Sequence, residues 1–156
     1  MNNKTILVVL ISSLAFFSCG KKANIKIADL KCESITEPFG IDIGLPRFSW
    51  IAESEERGQT QTAYQLIVAD NEKDIKQNKG SFWDSGKINS EESFAIQYNG
   101  KPLTDNHTFY WKVKLWDVND QPTNFSQIAS FTTSILDSKL WKGNWIGRGI
   151  AKAPVS

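Results

Sequence analysis

Between Ile25 and Phe131 the apolar side chains recur at every second position, in short bursts parted by turn-forming residues. A period of two turns successive side chains to opposite sides of an extended chain, so a burst buries one face by becoming a strand. A helix would need apolar residues three and four apart, and no such repeat is sustained here. One helical turn around residues 74–77, inside the polar stretch DNEKDIKQNKG, is the most the pattern allows. The bursts begin with Ile25 and Ile27, followed after a slip of phase by Leu30 and Cys32. Then come Phe48 and Trp50 behind Pro46, Tyr64 with Leu66 and Val68, and the short FWDSG. Phe94, Ile96 and Tyr98 alternate next, then Phe109, Trp111, Val113 and Leu115, and last Ala129 and Phe131. The slip after Ile27 predicts a bulge or a crossing between sheets. Pro38, Gly40 and Gly44 break the connection before Pro46, and Asn99-Gly100 is a strong turn signal. About seven short strands in this pattern predict an all-β fold, an antiparallel two-sheet sandwich of immunoglobulin or fibronectin type III kind. Trp50 would pack between the sheets. Lys112, Lys114 and Pro122, or short strands, would blunt the sheet edges.

The flanks read differently. Residues 1–18, MNNKTILVVLISSLAFFS, carry one lysine and then an apolar run from Ile6 to Phe17. A bilayer span needs roughly 20 apolar residues, and a short basic start with a short apolar run is the pattern of a secretory signal. Cys19 follows the small residue Ser18, as the acylated cysteine of bacterial lipoproteins does. The expectation is a lipoprotein signal over 1–18, lipid attachment at Cys19 and a tether over 19–23. The product would be exported and lipid-anchored to the bacterial outer membrane, on its periplasmic or cell-surface side. Two or more acyl chains are needed for stable anchoring.

Beyond residue 18 the basic and acidic side chains balance at 17 each. Such a chain has no broad field for nucleic acid. Residues 24–135 hold 11 basic and 16 acidic side chains, whereas 136–156 hold four and one. That shift marks a boundary near Leu136, between the sandwich over 24–135 and a linker over 136–156. With Cys19 set aside Cys32 is single, so it has no partner for an intrachain disulfide. Its apolar neighbours Leu30 and Ile35 predict a buried small hydrophobe.

No catalytic constellation emerges. His107, the one histidine, stands in the turn LTDNHTF and reads as a surface residue; no second His or Cys completes a metal set. Asp84, Asp105, Asp117 and Asp120 sit at strand ends or turns, where aspartates bond their own backbone. Nothing in one dimension pairs two of them across a cleft as glycoside hydrolysis requires. Glycine loops for phosphate and nucleophile elbows are missing, and no cofactor is implied. Of the six tryptophans, Trp50 and Trp111 fall on the apolar sides of their strands and read as core. Trp83, at the head of a Trp-Asp-Ser-Gly turn, and Trp116, opposite in phase to Trp111, are the candidates for a sugar-stacking surface.

Taken in order, DLKCESITEPFGIDIGLPRFSW, AYQLIVAD, FWDSGKI, YNGKPL, FYWKVKLWD and LWKGNWIG resemble the N-terminal region of bacterial α-L-rhamnosidases, from about Asp29 to Gly147. The resemblance implies an immunoglobulin-like opening module, followed by further β-sandwich domains and a helical barrel that hydrolyses terminal α-L-rhamnose with inversion. None of the barrel's acidic residues can be carried onto this chain, which is expected to end before the catalytic domain. The segment LWKGNWIG would open a second β-domain, with Trp141 and Trp145 as its first buried indoles. One departure is plain: fibronectin-type sandwiches often place a Tyr six residues after a Leu, and here Leu103 is followed at that spacing by Phe109. The expected partners are the downstream domains of the same enzyme, a rhamnose-containing polysaccharide, and the membrane through the lipid alone. Two other readings stay open, a stand-alone carbohydrate-binding module and an adhesion or scaffolding module that adds a strand at an open edge.

Overall fold

The computed structural model describes residues 23–137; the signal segment, Cys19, Trp141 and Trp145 lie outside them. In chain order the elements are β1 (Lys26–Cys32), β2 (Phe39–Ile41), β3 (Arg47–Glu53), β4 (Ala63–Ala69), α1 (Glu72–Lys76), β5 (Trp83–Asp84), β6 (Ile88–Asn89), β7 (Ile96–Gln97), β8 (Thr108–Trp116) and β9 (Ala129–Thr133). Two sheets form. The smaller runs β1-β3-β7; the larger runs β2-β9-β8-β4-β5, with β6 also against β4. The neighbours pair antiparallel, save β2, which lies parallel to β9. This is the sandwich the alternation predicts. The two strands that alternation does not mark, β2 and β6, are three and two residues long.

The slip of phase in β1 is a bulge. The β1–β3 register shifts between Ala28 and Lys31, and Asp29 takes φ +50°. The extra residue lets Ile27 and Leu30 both reach the core. On β8, Phe109, Trp111, Val113 and Leu115 are each fully buried. They meet Tyr64, Leu66 and Val68 of β4, Ala129 and Phe131 of β9, and Phe48 and Trp50 from the facing sheet. Aromatic rings join the two layers, Phe48 to Trp111 at 4.6 Å between centroids and Phe48 to Phe131 at 5.8 Å, while Phe109 stacks on Phe131 at 5.4 Å within the larger sheet. Burying each such ring contributes about 1.5–3 kcal/mol.

Trp50 and Trp111 differ in their polar ends. Trp50 Nε1 donates to Gln61 Oε1 at 2.8 Å, and Gln61 Nε2 in turn donates to the carbonyls of Ser90 and Glu92. Trp111 Nε1 is buried and meets no acceptor among the described residues. The corner that lacks a tyrosine is filled by packing: Phe109 stands edge-on to Phe82 at 5.0 Å and to His107 at 4.9 Å.

A second, smaller cluster lies on the outer face of the larger sheet. Ile67 and Ala69 of β4 are fully buried there beneath Ile75 of α1, with Tyr110 and Phe125 beside them. The helix is five residues long and is started by Asn71, whose side chain accepts the Asp74 N–H at 2.9 Å, a cap worth about 1 kcal/mol. Glu72 and Asp74 in its first turn suit the helix dipole.

Two expectations need correction. Phe94 is 75% exposed rather than in line with Ile96, because Ala95 takes φ +55° and turns the chain between them. Lys112 and Lys114 blunt no edge, since β8 lies between β9 and β4. Asn99-Gly100 lies where the chain passes from β7 in one sheet to β8 in the other. Gly100 is required by close approach, for an added Cβ would lie 2.6 Å from Trp83 Cβ.

Candidate functional site

Trp83 and Trp116 occupy opposite faces of the larger sheet. Trp83 pairs with the inward-facing Val68 and packs on the core, 5.3 Å from the Tyr98 ring and 6.4 Å from Phe48. The bare backbone of Gly100 leaves room for it. Trp116 pairs with Ala63, five residues back along β4, on the outer face. Its ring is flanked by two ammonium groups, Lys114 at 4.8 Å and Lys87 at 5.0 Å from the centroid, a cation–π arrangement. Lys87 also pairs with Asp120. The two indoles share no common plane or surface.

Of the four aspartates singled out from the sequence, Asp84, Asp105 and Asp117 accept backbone N–H groups, and Asp120 pairs with Lys87. Asp117, 4% exposed, accepts the N–H groups of Asn119 and Gln121 at 2.9 and 2.8 Å. Asp84 Oδ1 accepts from Gly86 N–H and Gln65 Nε2, and Asp105 Oδ1 accepts from Leu136 N–H. His107 is half-buried rather than a surface residue; its Nε2 lies 3.1 Å from the Asp70 carbonyl oxygen. Among the described residues no three His, Cys, Asp or Glu side chains converge on a cation position.

Cys32 is buried, and burial together with nearby Glu33 pushes its thiol up to about 12, which suits packing and not nucleophilic chemistry. Burial alone pushes the Tyr98 phenol up to about 12; its hydroxyl donates to the Lys101 carbonyl at 2.7 Å. Glu33 is held below the usual glutamate range, first by the hydrogen bond from Arg47, whose guanidinium reaches it at 2.8 Å.

The functional feature that the sequence does not announce is the path of the chain. Residue 23 enters beside Pro122, whose carbonyl accepts the Ala23 N–H, and Pro122 bridges to Trp116 at one end of β8. The chain leaves at the other end. Ser134 N–H donates to the Ile41 carbonyl, Asn106 N–H to the Ser134 carbonyl, and Leu136 N–H to Asp105. Entry and exit are therefore separated by the length of β8, about 27 Å at ~3.4 Å per residue.

Residues 27–137 match the family described as the Rha78A-like, N-terminal immunoglobulin domain. The chain belongs to this family. The Rha78A-like domain is similar to an α-L-rhamnosidase of Formosa agariphila, at 30% identity over 149 residues, covering 92% of this chain and 16% of that protein. To a second α-L-rhamnosidase of the same organism it is 36% identical over 115 residues, covering 74% of this chain and 12% of the relative. Among solved structures, the α-L-rhamnosidase from Dictyoglumus thermophilum superposes with a TM-score of 0.74 at 39% identity, over 83% of this chain and 14% of that one. The Rha78A-like domain thus spans a small part of the length of the proteins it matches. The ordered motifs that resemble the N-terminal region of α-L-rhamnosidases are borne out.

Proposed function

We propose that this chain is the non-catalytic N-terminal module of an exported α-L-rhamnosidase, and that it spaces a lipid anchor at Cys19 from domains that carry the chemistry. The parent enzyme would remove terminal α-L-rhamnose from polysaccharides or glycosides outside the cytoplasm. The observation that carries this reading is that α-L-rhamnosidases 30% to 39% identical share the domain as 12% to 16% of their length. The path of the chain supports the spacing role, because Ala23 and the exit at Leu136 lie at opposite ends of β8.

Two experiments test it. The chain alone should release no p-nitrophenol from an aryl α-L-rhamnoside, while a polypeptide continuing past residue 156 should; release by the chain alone overturns the reading. In cells, Cys19→Ser should abolish incorporation of a labelled fatty acid and free the protein from the membrane fraction. Retained label would remove the anchor from the proposal. Strand addition to a partner is less well supported, for β1, an edge strand, carries a bulge and the charged Lys26, Asp29 and Lys31, features that discourage edge pairing.

A further inference from the structure

Outside the face that joins the two sheets, β8 carries two lysines whose charge no carboxylate answers among the described residues. Lys112 and Lys114 stand two residues apart on one side of the strand, about 7 Å along it. Several lysines of the described structure reach a carboxylate: Lys26 with Glu53, Lys31 with Asp29, Lys76 with Glu72, Lys79 with Asp74 and Lys87 with Asp120. Lys112 and Lys114 make no ion pair among the described residues, yet Lys112 is 6% exposed. Both ammonium groups lie on the ring of Phe125, at 5.0 and 4.9 Å from its centroid. A ring quadrupole offsets only part of what an ammonium loses on leaving water. Burial accordingly holds Lys112 below the ordinary lysine value.

The surroundings are built, not draped. The segment carrying Phe125 is bonded to β8 at four points: Thr123 N–H to the Leu115 carbonyl, Ser126 N–H to the Val113 carbonyl, and the Leu115 and Val113 N–H groups to Thr123 Oγ1 and Ser126 Oγ. Between this segment, the two lysines and Asn78 lies an open depression of about 450 Å³. Asn78, Asn124 and Ser126 stand on its rim. Two cations held on one aromatic ring at the edge of a depression compose a receptor for a group with negative oxygens.

We propose that this depression binds an oxyanion, the carboxylate or sulfate group of a soluble ligand, between Lys112 and Lys114. The inference stands independently of the rhamnosidase assignment. It is tested on the full chain by titrating sodium sulfate, sodium acetate and sodium glucuronate at constant ionic strength, with glucose as the uncharged control, while following the amide resonances of residues 112–114 and 125. Saturable shifts with at least one of the anions, and none with glucose, are expected. Lys114→Met, at a half-exposed position that should not disturb folding, should weaken that binding about tenfold or more, as should Lys112→Met. Sulfate at matched ionic strength should raise the melting temperature of the parent chain and not of Lys114→Met, since a ligand stabilises only the state that binds it. Whichever of sulfate or glucuronate binds more tightly identifies the source of the oxyanion, and either result upholds the site. Absence of saturable shifts with all three anions, an affinity unchanged in Lys114→Met, or equal binding of glucose overturns it.

Discussion

Strand β8 shows two unlike surfaces to its surroundings. Inward it presents Phe109, Trp111, Val113 and Leu115, all fully buried against the facing sheet. Outward it presents Tyr110, Lys112, Lys114 and Trp116, where lysine stems and aromatic rings interleave under the 123–126 segment. The inward face is a problem of volume: close-packed apolar groups whose worth scales with the area taken from water. The outward face is a problem of charge, in which partial burial weakens hydration and an aromatic ring compensates in part. One strand can thus hold a fold together on one side and keep electrostatic potential available on the other.

Substitutions can break or sharpen this contrast. Phe109→Ala, on the inward face, should cost about 3–5 kcal/mol in urea unfolding; a loss under 1 kcal/mol would mean that the inward face of β8 is not close-packed. Ile75→Ala, on the outward cluster, should cost about 2–4 kcal/mol. Hydrogen exchange should quicken first in α1 and along the outer side of β4, with the inner core still protected. Trp50→Phe keeps an aromatic ring but strands the Gln61 carbonyl, so about 1–3 kcal/mol should be lost, with loosening of residues 90–93 visible by the same exchange experiment. Lys112→Met should leave stability equal to or above that of the parent, since a buried charge that the Phe125 ring compensates only in part is replaced by an apolar chain of similar length. A large loss there would show that the outward face is structural after all. The smallest effect is acid-dependent. Glu33 has a lowered value in the folded chain, so its contribution is present above the ordinary glutamate range near 4.5 and fades as pH falls through and below it. Arg47→Met should flatten that part of the stability–pH profile.

The inward face was legible because a strand's side chains alternate without exception, so the positions of Phe109, Trp111, Leu66 and Phe131 follow from spacing once the strands are recognised. Even the bulge left a trace, as the break of phase between Ile27 and Leu30. The outward face was not legible. Burial of Ile67 and Lys112 depends on α1 and the 123–126 segment folding over them, and neither contact has a local sequence signal. Phe94 was misplaced because Ala95 takes a left-handed conformation that its residue type does not advertise. Gln61 is a polar residue serving the core, for which no pattern exists; the one available hint is that the Trp50 indole needs an acceptor once buried. Trp83 was open to a sugar reading until the approach of Gly100 and the Tyr98 ring placed it on the core. The family, by contrast, was readable from the order of several weak motifs, none of which suffices alone.

The opposed positions of entry and exit have a mechanical corollary. If the first and last described residues are drawn apart, β1 is dragged lengthwise along β3 and β9 along β8. Their ladder bonds then bear the load together, in shear, and are not unzipped singly. Stretching the molecule through positions 23 and 137 should give one abrupt rupture at high force; gradual yielding would contradict this geometry. A module strung in this way resists traction as a taut link does, whatever hangs from either end.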